Sequence, residues 1–70
     1  MWRNGKIDGC EYWVKSYEEP SIYGINEGRI SKLTVKRDGC EIINYDRGWD
    51  LEPQTDSDRE VFAKILAKYN

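Results

Sequence analysis

Histidine is absent from the chain, and cysteine occurs only twice, at Cys10 and Cys40. The chain therefore lacks the side chain that most often serves as general base near neutral pH and as zinc ligand. Protease triads built on a histidine base are excluded. Two cysteines without a signal-peptide pattern are too few for the disulfide framework of a small secreted domain, so a reducing cytoplasm is the expected compartment. No apolar run approaches the roughly 18–20 residues that cross a membrane, and no signal-peptide core follows Met1. Phosphate-cradling glycine loops and nucleophile motifs are missing as well. Thirteen carboxylates permit a paired-acid mechanism on paper, but a cleft that shifts their pKa values is hard to build in 70 residues. The expectation is a protein that is not an enzyme and requires no cofactor.

What is present fits one small domain spanning residues 1–70. Hydrophobic residues make up 39% and charged residues 34%, so the core must come from few side chains. Three Trp, five Tyr and one Phe supply much of it, since each aromatic can bury ~150–250 Å². Thirteen acids against eleven bases leave a net charge of −2, which argues against direct nucleic-acid binding through a basic field.

Both cysteines sit in one repeated tetrapeptide, Asp8-Gly9-Cys10-Glu11 and Asp38-Gly39-Cys40-Glu41. Asp-Gly is a strong signal for a two-residue hairpin turn, which puts each thiol at the start of a return strand. The first reading is two small thiols at matching strand starts. The alternatives are a zinc site shared by Cys10 and Cys40, which supply only half of four ligands, and a disulfide.

Strands are expected over Trp2 to Ile7, Cys10 to Tyr17, Ile30 to Arg37 and Cys40 to Tyr45. In the second of these both faces carry apolar bulk. Ile22 to Arg29 reads as an irregular loop or short edge strand, and Asp46 to Gln54 as a turn-rich connector. The helix comes last, from near Thr55–Ser57 to about Tyr69. Ser57 with Glu60 matches a capping box, and Thr55 is a second candidate cap. Val61, Phe62, Ile65, Leu66 and Tyr69 line one apolar face at helical spacing. The expected fold is α+β: an antiparallel sheet of three or four strands, covered on one side by a C-terminal helix.

Tyr45, Asp46, Arg47, Trp49, Asp50 and Glu52 form the most distinctive stretch, and connectors often carry binding residues. Trp, Tyr and Arg are the side chains most enriched at binding hot spots, although Trp49 and Leu51 also suit a plug for the core. Asp56 and Asp58 extend the acidic run towards the helix. Such a face suits a basic surface on a partner protein. A rival surface for single-stranded nucleic acid would use Lys32, Lys36 and Arg37 with Tyr12 and Trp13.

Gly24-Ile25-Asn26-Glu27-Gly28-Arg29-Ile30-Ser31-Lys32-Leu33 and Asn44-Tyr45-Asp46-Arg47-Gly48-Trp49-Asp50 together resemble a family of short uncharacterised proteins encoded by Firmicutes and their phages and prophages. The resemblance covers nearly the whole chain and implies a phage or mobile-element origin. Small acidic phage proteins often inhibit host machinery, anti-CRISPR proteins among them. By that analogy the expected function is a non-enzymatic inhibitor that binds a host protein, foremost a CRISPR nuclease, in the bacterial cytoplasm.

Overall fold

Two Asp-Gly pairs set the first and third reversals of the chain. Asp8 and Gly9 lie at φ 49° and 79°, and Asp38 and Gly39 at 53° and 79°, the left-handed region that a type I′ turn demands at both positions. The computed structural model describes residues 1–70. In it the first turn joins β1 (Trp2–Ile7) to β2 (Cys10–Ser16), and the other joins β3 (Ile30–Arg37) to β4 (Cys40–Asp46). A further strand, β5 (Trp49–Leu51), pairs with β4, giving a five-stranded antiparallel sheet in the order β1 to β5.

The fifth strand lies in what the sequence presents as a connector. Three residues with Asp50 in the middle are too short to show an alternating pattern. Pairing of Tyr45 with Trp49 creates the strand, and the Trp49 ring then stands edge-on between Tyr45 and Phe62, at 5.0 and 5.3 Å. Between β2 and β3 there is no strand, only a 3-10 turn at Ile25–Glu27 whose Ile25 is buried.

The helix α1 spans Asp56–Tyr69. Val61 and Ile65 are buried, with Phe62, Leu66 and Tyr69 packed beside them, as the periodicity requires. They meet Cys10, Tyr12 and Val14 of β2, Leu33 and Val35 of β3, and Ile43 and Tyr45 of β4. Tyr12 is therefore a core residue, which removes it from the nucleic-acid surface expected with Trp13. Its hydroxyl lies 2.7 Å from that of Tyr69, beneath the last turn of the helix.

Both ends of α1 are tied to the sheet by polar groups. At the start, the capping box is Thr55 with Asp58 rather than Ser57 with Glu60. The Thr55 hydroxyl accepts from the Asp58 N–H at 3.1 Å, and the Asp58 carboxylate accepts from the Gln54 and Thr55 amides. Asp58 also accepts from Arg37 of β3 at 2.7 Å, and that contact selects this cap over the alternative. At the far end, the Asn70 amide donates to the Ile25 carbonyl at 3.1 Å and accepts from the Ile30 N–H at 3.0 Å. A Cβ at Gly28 would collide with that Asn70 side chain, and one at Gly24 with the Gly28 carbonyl. The close approach explains both glycines.

Burial alone would raise the Asp58 carboxyl. The Arg37 guanidinium and the two amides outweigh it and hold the group below its ordinary value. A lowered carboxyl stabilises the fold above its unfolded pKa, near 3.9, and ceases to do so as pH falls through the folded value. We expect Asp58→Asn to cost about 2 kcal/mol at neutral pH, in the range for a charged hydrogen bond. Urea unfolding across pH should show the gap to the parent protein closing below about pH 4. A gap independent of pH would contradict this account.

Candidate functional site

In an antiparallel meander the turns β1–β2 and β3–β4 fall at one end of the sheet, here the hairpin end. The β2–β3 and β4–β5 connections fall at the other, the loop end. The helix runs from the first to the second. Arg37–Asp58 and the 2.6 Å pair Lys64–Asp8 hold its start and its middle towards the turns, and Asn70 reaches the loop.

This layout divides the residues of the acidic stretch. Asp46 and Arg47 are at the loop end, where Asp46 lies 3.8 Å from Lys32 and 3.4 Å from Arg47. Tyr45 is buried and its hydroxyl donates to the Tyr23 carbonyl at 2.8 Å; Trp49 keeps one edge in solvent. Asp50 and Glu52, exposed and outside any ion pair, follow the chain back to the hairpin end. Asp56 is there too, 3.0 Å from Arg59. Asp58 is only 4% exposed and fully engaged by Arg37 and the cap, so its carboxylate is turned away from solvent.

The hairpin end gathers acids that are far apart in sequence. Asp8 and Asp38 come from the two turns, and Glu52, Asp56 and Glu60 from the approach to the helix and its first turns. Asp8 and Glu60 line one groove of about 350 Å³ with Ser57, Arg37 and Lys64. Sequence order hides this convergence, because the first turn, the second turn and the helix start lie in three separate parts of the chain; it follows from the sheet topology.

The sheet face away from the helix is uncovered and is organised in rows. Lys6, Glu11, Lys36 and Glu41 oppose one another across four strands, alternating in sign. Opposite charges directly across from one another favour this register. The next row holds Asn4, Trp13, Thr34 and Asn44, with the Thr34 hydroxyl donating to Asn44 at 3.2 Å. The last row, nearest the loops, holds Trp2, Lys15, Lys32 and Asp46. Trp2, Trp13 and Lys36 line a shallow groove of about 420 Å³, and the Lys36 ammonium sits 5.6 Å from the Trp13 ring. Arg37, by contrast, is on the helix side. Trp2, Tyr17 and Tyr23 are exposed rings that the sequence reading did not select. Their signal was apolar bulk in a segment otherwise rich in polar residues.

Cys10 is buried and Cys40 exposed. Both pair with Arg37, which stands between them in one row. Neighbouring strands are about 4.7–4.9 Å apart, so the two backbones are separated by about 9–10 Å. A disulfide needs less than about 7 Å between Cα atoms. The structure contains no group of three or more Cys, Asp or Glu side chains arranged to hold a metal ion. A thiol reagent such as Ellman's should titrate Cys40 alone in the native protein and Cys10 only after denaturation. Rapid reaction of both thiols under native conditions would contradict the burial of Cys10.

No helix is long and apolar enough to cross a membrane. Comparison with curated proteins and with solved structures finds no match to the chain. Family comparison does find one, and it runs the full length: over residues 1–70 the chain belongs to the family described as a domain of unknown function, DUF7678.

Proposed function

We propose that this protein is a non-catalytic binding domain that inhibits a basic, nucleic-acid-binding host protein by presenting its hairpin end to that protein's basic surface. The observation that carries the reading is the convergence of Asp8, Asp38, Glu52, Asp56 and Glu60 at one end of the sheet. Carboxylates spaced over a rigid end compete with phosphates for the same cationic groups, and steer association at low salt. The rigidity has a local cause: Asp8 and Asp38 are fixed in tight turns, and Asp56 stands on a capped helix. Asp58 supports that rigidity from within and makes no contact outward. A CRISPR nuclease, with its positively charged nucleic-acid channel, is the kind of partner such a face suits, and a phage or prophage origin is consistent with that role.

Asp50, Glu52 and Asp56 are all exposed, so reversing them tests the face without touching the core. The triple variant Asp50→Lys, Glu52→Lys, Asp56→Lys should lose at least about tenfold in affinity for a nucleic-acid-binding protein retained from host lysate. Its helical circular dichroism should stay unchanged. Asp46→Lys alone, at the other end, should leave retention intact. Retention unaffected by the triple reversal would overturn the proposal.

A further inference from the structure

The exposed rings of this chain and four of its six cations without a carboxylate within ion-pairing distance lie at the same end, opposite the acidic one. Trp2, Tyr17, Ile22, Tyr23 and Trp49 are among the few large hydrophobic residues left in solvent, and all of them are at the loop end. Trp2 is 55% exposed, Tyr17 50% and Tyr23 61%. Arg3, Lys15, Arg29 and Lys68 are there too, and none has a carboxylate within ion-pairing distance, although acids outnumber bases in the chain. At the hairpin end, Arg37, Arg59 and Lys64 each have an acidic partner, and Lys6 and Lys36, outside ion-pairing distance of any carboxylate, stand directly across from Glu11 and Glu41. Cations left unpaired in an acidic protein, beside rings left in water, mark a place where an outside ligand supplies both the negative charge and the apolar surface.

Two grooves organise these groups. In the first, of about 450 Å³, Arg3, Arg29 and Lys68 surround Tyr17 and Ser16, with Glu18 the one acid in the lining. In the second, of about 370 Å³, Lys15, Lys32 and Arg47 lie with Tyr17 and Tyr23, and Glu19 is its one acid. Tyr17 belongs to both, so the grooves adjoin. Trp2 stands directly across from Lys15 on the neighbouring strand.

We propose that the loop end binds single-stranded nucleic acid, its phosphates following the cations through the two grooves and its bases stacking on Tyr17, Tyr23 and Trp2. A positive track interleaved with rings is the arrangement that holds a single strand without reading its sequence. The cations are spread over two grooves rather than converging on one point, which suits a chain of phosphates better than a lone phosphate. A duplex keeps its bases stacked and offers no faces to these rings, and α1, packed on the sheet, is not free to enter a major groove. This site uses the end away from the acidic face, so the two proposals stand or fall separately.

The test is fluorescence anisotropy with labelled oligothymidylate and oligouridylate of about eight nucleotides, with a duplex of equal length as comparison. Saturable binding of the single strands is expected, weakening about twenty- to fiftyfold between about 50 and 200 mM salt if three or four phosphates are engaged. Arg29→Glu with Lys68→Glu, both at exposed positions, should weaken it at least tenfold. Lys6→Glu with Arg59→Glu, the same charge change at exposed positions of the hairpin end, should weaken it far less. Arg29→Gln with Lys68→Gln should give an intermediate loss, and serves if the reversal variant is unfolded by circular dichroism. Tyr17→Ala should cost at least about fivefold through lost stacking. The proposal is overturned by absence of saturable binding at the lower salt, by equal losses in the two charge-reversed variants, or by a duplex that binds as tightly as the single strands.

Discussion

Asp58 is the residue on which the arrangement of helix and sheet depends. It caps α1 and simultaneously binds Arg37 of β3, so the same carboxylate sets where the helix begins and where that beginning sits on the sheet. From that point the helix has one direction in which Val61, Ile65 and Tyr69 all reach the core, and it ends where Asn70 can hold Ile25 and Ile30. A short chain with eleven residues in its buried cluster has little apolar surface with which to orient a helix. Polar groups at the two ends supply the orientation, and a buried charge without its partner would be strongly destabilising.

The uneven charge of the molecule follows from this placement. Asp is favoured in type I′ turns for its tolerance of left-handed backbone, and acids are favoured at helix starts by the macrodipole. Each preference is local. The meander brings both hairpin turns to one end, and the Asp58–Arg37 contact brings the helix start to that same end. Lys68 is carried to the opposite end by the length of the helix, where Arg3 and Arg29 lie beside it. Local rules combined with topology thus give a small protein two ends of opposite character.

Elements built on strong local chemistry were legible in the sequence. The Asp-Gly pairs, the apolar stripe of α1 and Thr55 as one of two caps each follow from a few neighbouring residues. What was not legible required a partner distant in sequence. β5 exists because Tyr45 pairs with Trp49 and the Trp49 ring meets both Tyr45 and Phe62. Tyr12 and Trp13 are adjacent with similar bulk, and only the helix, arriving last, decides that Tyr12 is inside. Asp58 looks like one more acid of a charged run until Arg37 is placed beside it. Net charge was the least informative quantity of all, since summing over the chain cancels the two ends against each other.

The uncovered sheet face carries the same division one step further. Near the hairpin turns, Lys6, Glu11, Lys36 and Glu41 alternate in sign across the row, so each lysine has an opposite charge directly across from it. Near the loops, Lys15 opposes Trp2 on one side and Lys32 on the other, so no such alternation is available to it. Only Asp46, at the far side of the row, offers an opposite charge, and Arg47 competes for it. One half of the face thus matches each cation with an acid across the strands, whereas in the other half Lys15 has only the Tyr17 ring, 5.6 Å away, as a partner.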